Sequence, residues 1–378
     1  MTMIDDVRTL VTCESPSSDL AALARSADVV GELGARLTGS EPERLLDDGR
    51  PHLRWRFGDG DRVLLLGHHD TVWPVGSLEA HPCRVVDGAM YGPGCFDMKA
   101  GLVQMFHALA MLPDPDGISV LVTGDEELGA PTSRELIEEE ARRARAVLVF
   151  EGSADGGALK TARKGIAHYE LRIHGRAAHA GLEPWAGVNA AVELAHHVLA
   201  LAELDAGPDG ATVTPTVLSA GTTQNTVPDE ASVRVDVRVP DADEARRVDD
   251  AIRAVTPRVP GARVDVVTGP SHPPMEPSSS AELYGLAEEV AASLGIDPLG
   301  SARVGGASDG NVAAGVGTPT LDGLGAVGGG AHAAGEHVLV DHMPVRAELA
   351  AGVIRHLQER PVSTDSGVDE PKNRGERA

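Results

Sequence analysis

The sequence predicts an α/β fold with a mostly parallel sheet, and a change of period near residue 165 predicts a second, smaller module within it. Short apolar runs at 63–66 (VLLL), 118–122 (ISVLV) and 146–150 (AVLVF) have the length and branching of strands buried on both faces. Helical spacing lies between them. Leu102, Met105, Phe106 and Leu109 fall on one helical face, and 131–145 (PTSRELIEEEARRAR) is patterned as an exposed, charged helix. Strands alternating with helices give a parallel sheet covered by helices.

Past Gly165 the pattern becomes that of a sheet covered on one side. Residues 166–174 read as a strand, 188–204 as an amphipathic helix and 211–219 as another strand. In 231–239 (ASVRVDVRV), Val233, Val235, Val237 and Val239 alternate strictly onto one face. Asp241 is placed to cap the helix that follows, and 262–267 closes the set. This β-α-β-β-α-β order is the ferredoxin-like unit. Helical patterns return at 281–294 and 345–357, so the unit is expected as an insertion, at 165–270, into a larger domain formed by 1–164 and 271–378. The polar segment from Pro361 is expected to be a disordered tail.

Composition narrows the function. The 378 residues include 57 acidic and 33 basic side chains, a net charge of −24, which argues against nucleic acid and against an anionic membrane surface as partners. No apolar run reaches the roughly 18 residues of a membrane span. The opening MTMIDDVRTL lacks the basic start and apolar stretch of a signal peptide. Cys13, Cys83 and Cys95 are odd in number and form no CxxC motif, which favours a reducing compartment, and the expected location is cytoplasmic.

The chemistry lies where the strands end. The first run leads into Gly67-His68-His69-Asp70, the second into Asp125-Glu126-Glu127, and the third ends at Glu151. Open α/β sheets build their sites at the carboxyl ends of strands. Asp97, in YGPGCFDMKAG, and His332, in a Gly-rich stretch, are further candidates. Singly, each is ordinary: a strand-end turn, a solvated helix start, a helix N-cap or a surface histidine. Jointly, two histidines and several carboxylates at one sheet edge suit a pair of divalent cations, most naturally Zn²⁺.

The strings GHHDTV (67–72), YGPGCFDMK (91–99), TGDEELG (123–129), FEG (150–152) and GGGAHAAGEHV (328–338) resemble the di-zinc metallopeptidase family of glutamate carboxypeptidase, aminoacylase, peptidase T and succinyl-diaminopimelate desuccinylase. GHHDTVWPVG and YGPG…DMK look nearest to the glutamate carboxypeptidase branch. The resemblance implies that His68 and Glu151 bind one Zn²⁺, Glu127 and His332 the other, and that Asp97 bridges both. It leaves His69 without a metal role, puts Asp70 behind His68 as its orienting partner, and makes Glu126 the general base toward a bridging water acidified by the two ions. In the insertion, His179 resembles a histidine that reaches a partner subunit's site and polarises the substrate carbonyl. Asn225 and Arg238 match positions that contact the substrate's terminal carboxylate, a group suited to the arginine fork. Gly306 falls in a similar substrate loop, and 163–165 (RKG) resembles the hinge into the lid. The implied enzyme is a homodimer, paired through the inserted domain, that cleaves an N-acyl amino acid or short peptide next to a free carboxylate. Trp73 is a candidate for the acyl pocket or for packing.

Three other readings compete. An N-acyl amino acid deacylase of the same family differs only in what lies on the acyl side. Residues 306–310 formally match G-x-S-x-G, with Asp322 and His332 following in the order a serine hydrolase using Ser308 requires. However, SARVGG is a weak strand to precede a nucleophile elbow, and the elbow leaves the strand-end candidates unexplained. A non-catalytic metal-binding scaffold would be marked by loss of Glu126, which is present.

Overall fold

The computed structural model describes residues 2–58 and 62–359, so the tail expected from Pro361 lies outside the described residues. The larger sheet has six strands, in the order Glu43–Asp47, Arg50–Arg56, Ile118–Thr123, Val63–His68, Ala146–Val149 and Thr320–Leu321. The last four run parallel to one another. The first two form an antiparallel hairpin on the edge, which the sequence reading passed over. Its signal was nonetheless present: Asp48-Gly49 take positive φ of 45° and 75° at the turn, the backbone a two-residue hairpin loop demands.

Both faces of this sheet are covered, as the continuous apolar runs imply. Val63, Leu65, Val120, Val122 and Leu148 point into a core completed by the helices Ala100–Ala110, Pro277–Ser293 and His342–Glu359. Leu64, Leu66, Leu121, Val147 and Val149 point the other way, onto the helices Arg134–Arg143 and Asp309–Gly315. The charged helix is therefore shorter than its pattern and not wholly exposed. Ile137 and Ala141 are buried, and Glu140 turns inward to pair with Arg54 and Arg56 of the edge hairpin.

The inserted segment forms a separate four-stranded sheet, ordered Thr212–Ala220, Glu230–Val239, Gly165–His174 and Arg263–His272, with every pair antiparallel. Val233, Val235, Val237 and Val239 meet Leu171 and Ile173 and the helices Ala190–Ala202 and Ala242–Arg253 on one side only. Asp241 caps the second of these helices through a 2.8 Å bond from the Glu244 N–H, as the sequence predicts. The chain enters and leaves this module side by side, with Arg163 and Met275 exchanging backbone hydrogen bonds of 2.9 and 3.0 Å. Among the described residues, no helix is long and apolar enough to cross a membrane.

One close approach seats the first covering helix. A Cβ on Gly101 would lie 2.0 Å from the Phe150 carbonyl oxygen, so only glycine lets this helix rest against the end of the Ala146–Val149 strand. In an open helix Gly→Ala stabilises by about 1 kcal/mol. Here the sign reverses: Gly101→Ala is expected to destabilise by about 1–3 kcal/mol, measured by urea unfolding, because the helix must lift off the strand that leads to Glu151.

Candidate metal centre

Parallel register delivers the site. Val63–His68 pairs with Ile118–Thr123 so that His68 faces Thr123, which brings the loops carrying Glu126 and Glu127 beside His68. Ala146–Val149 lies on the other side of the same strand and leads directly to Glu151. Asp97 sits in an irregular turn at Cys95–Lys99, ahead of the Ala100–Ala110 helix, and so is not that helix's N-cap. His332 rises from its Gly-rich loop with φ of 60°, in the left-handed region.

The five expected ligands converge. Nε2 of His68 lies 3.1 Å from Oδ1 of Asp97, 3.4 Å from Oε1 of Glu151 and 4.0 Å from Oε2 of Glu126. The other Asp97 oxygen is 3.2 Å from Nε2 of His332, which is itself 3.2 Å from Oε2 of Glu127. Asp97 thus presents one oxygen to each side of the cluster. Ligand atoms of His68, Asp97 and Glu127 lie within 4.8 Å of one another, as do those of His68, Glu126 and Glu151. Glu126 is therefore as near the cluster as a ligand.

The donor set fits divalent cations. Imidazole nitrogens and carboxylate oxygens are the ligands Zn²⁺ accepts. Oε1 of Glu127 is buried with no hydrogen-bond partner, a lone pair left for something other than protein. Burial first, and then Glu151, Asp309 and Glu127, push the Glu126 carboxyl well above its usual range against the pull of His68. Burial likewise raises Glu127. Hydrogen bonds to Asp97 and then Glu127 push His332 up to about 10. Carboxylates crowded this closely attract protons unless a stronger cation takes their place.

A surrounding frame holds the ligands. Asp70 is fully buried, and its carboxylate lies 3.3 Å from Nδ1 of His68, accepts the Ser17 hydroxyl at 2.7 Å, and accepts the Glu126 and Glu127 N–H groups at 3.3 and 3.2 Å. It orients a ligand on one strand and positions two carboxylates on the next. His69 faces away from the cluster, toward Ser26 and the Pro51 carbonyl, and burial drops it to about 4, so it stays neutral.

Other parts of this frame escaped the sequence. Asp125 accepts four hydrogen bonds from Thr132 and Ser133 and stiffens the turn that bears Glu126. Arg163, read only as a hinge residue, is buried. It bonds Asp322 at 2.6 Å and the Gly306 carbonyl at 3.0 Å, and lies 3.7 Å from Glu151. Buried Glu336 binds the backbone around Asp97 and also accepts the Trp73 indole N–H at 2.7 Å, so a framework contact accounts for Trp73. None of these had a signal beyond a polar residue near a motif.

The inserted module holds the remaining candidates apart. His179 is exposed, and its Nδ1 accepts the Gly181 and Leu182 N–H groups at 3.1 and 3.2 Å. Asn225 is exposed on the neighbouring loop, whose backbone pairs with that of the His179 loop. Arg238 is held by Asp236 through two bonds of 2.8 and 2.9 Å. No hydrogen bond or ion pair joins these three to the cluster among the described residues. Ser308 is no elbow nucleophile: it caps the Asp309–Gly315 helix and donates to Asp322 at 2.7 Å, while His332 belongs to the cluster. His68→Asn is expected to lower bound metal by at least one ion per chain, measured by elemental analysis. His69→Asn is expected to keep the metal and lower only the unfolding midpoint.

Comparison with known proteins identifies the family. The model of peptidase family M20/M25/M40 matches residues 64–356. Carboxypeptidase G2 of Pseudomonas sp. (strain RS-16) is 31% identical over 374 residues, covering 94% of this chain and 89% of that protein. Succinyl-diaminopimelate desuccinylase of Paracoccus denitrificans (strain Pd 1222) is 33% identical over 272 residues, covering 65% and 69%. In the crystal, aminopeptidase PepT from Bacillus cereus ATCC 10987 shares the fold with a TM-score of 0.73 at 22% identity, covering 94% of this chain and 97% of that one. With its strand-end cluster inside the matched span, the chain belongs to peptidase family M20/M25/M40.

Proposed function

We propose that this protein is a di-zinc hydrolase that cleaves an amide bond next to a free carboxylate and releases a C-terminal amino acid. The observation that carries the reading is the convergence of His68, Asp97, Glu127, Glu151 and His332, with Glu126 at the same edge. His68 and Glu151 would hold one ion, Glu127 and His332 the other, with Asp97 between them. Ions so held supply a positive field that acidifies water and polarises a carbonyl. Glu126 takes the proton of the attacking water at a carboxylate oxygen and returns it to the leaving amine as the C–N bond breaks.

Segment 165–270, with its βαββαβ order, acts in this reading as a ferredoxin-like lid on the catalytic domain formed by 1–164 and 271–378. A cavity of about 570 Å³ lies between the two, lined by Arg163, Lys164, Arg238 and Arg303 against a single carboxylate, Asp209. Lys164 is spent on the Pro208 and Gly210 carbonyls, while Arg303 is exposed and makes no ion pair among the described residues. With Arg163 paired to Asp322 and Arg238 to Asp236, Arg303 is the remaining cation of this lining, without an ion pair among the described residues, and it supports an anionic leaving amino acid such as glutamate. Likeness to carboxypeptidase G2 supports release of a C-terminal amino acid. N-acyl amino acid deacylation is the second reading, supported by the likeness to a desuccinylase.

The lid also has a face suited to a second copy. Thr212–Ala220 is an edge strand with Val217 and Leu218 exposed, and the adjoining helix Ala190–Ala202 exposes Val192 and Leu199. Pairing there would carry His179 toward the partner subunit's centre. With Nδ1 already an acceptor, its Nε2 carries the proton that a substrate carbonyl oxygen can accept. The unpaired cysteines suit a cytoplasmic setting.

Chelation is expected to abolish release of glutamate from an N-acyl-glutamate panel, and added Zn²⁺ to restore it. Glu126→Gln should keep both ions yet lose roughly 10²–10⁴ in kcat. Activity that survives chelation but not Ser308→Ala would overturn the reading. For the dimer, chains carrying His179→Ala and chains carrying Glu126→Gln, each inactive alone, are expected to regain activity when mixed. No recovery in a proven hybrid would place His179 in its own subunit's site.

A further inference from the structure

We propose that Glu336 is a positioning residue that presets the spacing between Asp97 and His332, and thereby sets how tightly the second ion of the pair is held. This rests on the two-ion reading above. The short strand His337–Leu339 pairs with Ala89–Tyr91 and brings two loops side by side, 92–97 leading to Asp97 and 330–336 bearing His332. Past that ladder neither loop has regular structure. Asp97 itself is extended, at φ −117° and ψ 95°. Its backbone anchor is the Glu336 carboxylate, whose Oε1 accepts the Phe96 and Asp97 N–H groups at 2.9 and 3.0 Å, while Oε2 accepts Gly94 N–H at 2.9 Å.

On its own loop, Glu336 donates its N–H to Ala333, and Ala333 donates to Gly330, so the turn through His332 closes onto the residue that grips Asp97. One side chain therefore ties the bridging carboxylate to the loop of its neighbouring histidine, and does so without any ion. Three backbone N–H groups converge on it, and with no anion there they would be buried and unpaired. An aspartate meant to face two ions gains from this, because a carboxylate free to rotate satisfies one ion at the other's expense.

The test titrates metal-free protein with Zn²⁺, and separately with Co²⁺, whose visible absorption reports coordination geometry. Wild type is expected to take two equivalents. Glu336→Gln should weaken one of them by roughly 10–100-fold and alter its Co²⁺ spectrum, leaving the other within a few-fold. Glu336→Asp keeps the charge on a shorter arm and should recover part of the loss; it also serves if the glutamine variant fails to fold. Trp73→Phe, which removes only the indole donor, should bind both ions as wild type does. Two equivalents bound equally well by wild type and both Glu336 variants overturn this inference alone. A wild-type protein that takes up fewer than two ions sinks the two-ion reading and this inference with it.

Discussion

Like charges crowded around one histidine are the constraint on which the rest of this structure depends. Asp97, Glu126, Glu127 and Glu151 place carboxylates about His68, with Asp309 behind them, and burial strengthens their mutual repulsion. His68 and His332 offset only part of that repulsion, so the surrounding fold must hold the rest. It does so with backbone. Asp70 fixes the amides of Glu126 and Glu127, Asp125 stiffens the turn they occupy, and Glu336 grips the loop of Asp97. Anchors of this kind are cheap in entropy because the strands behind them are already fixed.

That rigidity comes from a sheet buried on both faces. The three central strands contribute alternate side chains to two separate cores, so none of them can slip in register without turning apolar groups toward the wrong layer. Gly101 lets a helix press against the strand end that leads to Glu151, which converts packing directly into the position of a site residue. The inserted sheet has one core and one open face, and the chain enters and leaves it through two adjacent segments at Arg163 and Met275.

Arg163 stands where these two parts meet. Its backbone is part of the connection, and its side chain reaches Asp322, the Gly306 carbonyl and the vicinity of Glu151. Movement of the inserted module would be felt at both the Gly306 loop and the cluster through this one residue. Asp322 in turn holds Ser308, so the serine that formally fits a nucleophile motif serves to fasten the same loop. A five-residue pattern says nothing of what its serine touches.

Much of the fold was readable in the sequence because burial on two faces, burial on one face and helical amphipathicity each leave a distinct period. The order of the inserted strands and helices, the Asp241 cap and the strand-end placement of His68, Glu127 and Glu151 follow from those periods alone. The edge hairpin was readable too, in the Asp48-Gly49 turn, although charged residues dilute its alternation. What only the tertiary structure decided are the relations between segments distant in the chain. His68 and His69 are neighbours in sequence, yet strand geometry sends one into the cluster and the other toward Ser26. Asp125, Arg163 and Glu336 look like any polar residue beside a motif, because a hydrogen bond to a remote backbone group imposes no local spacing. Period records which side of an element is buried; only folding decides what it is buried against.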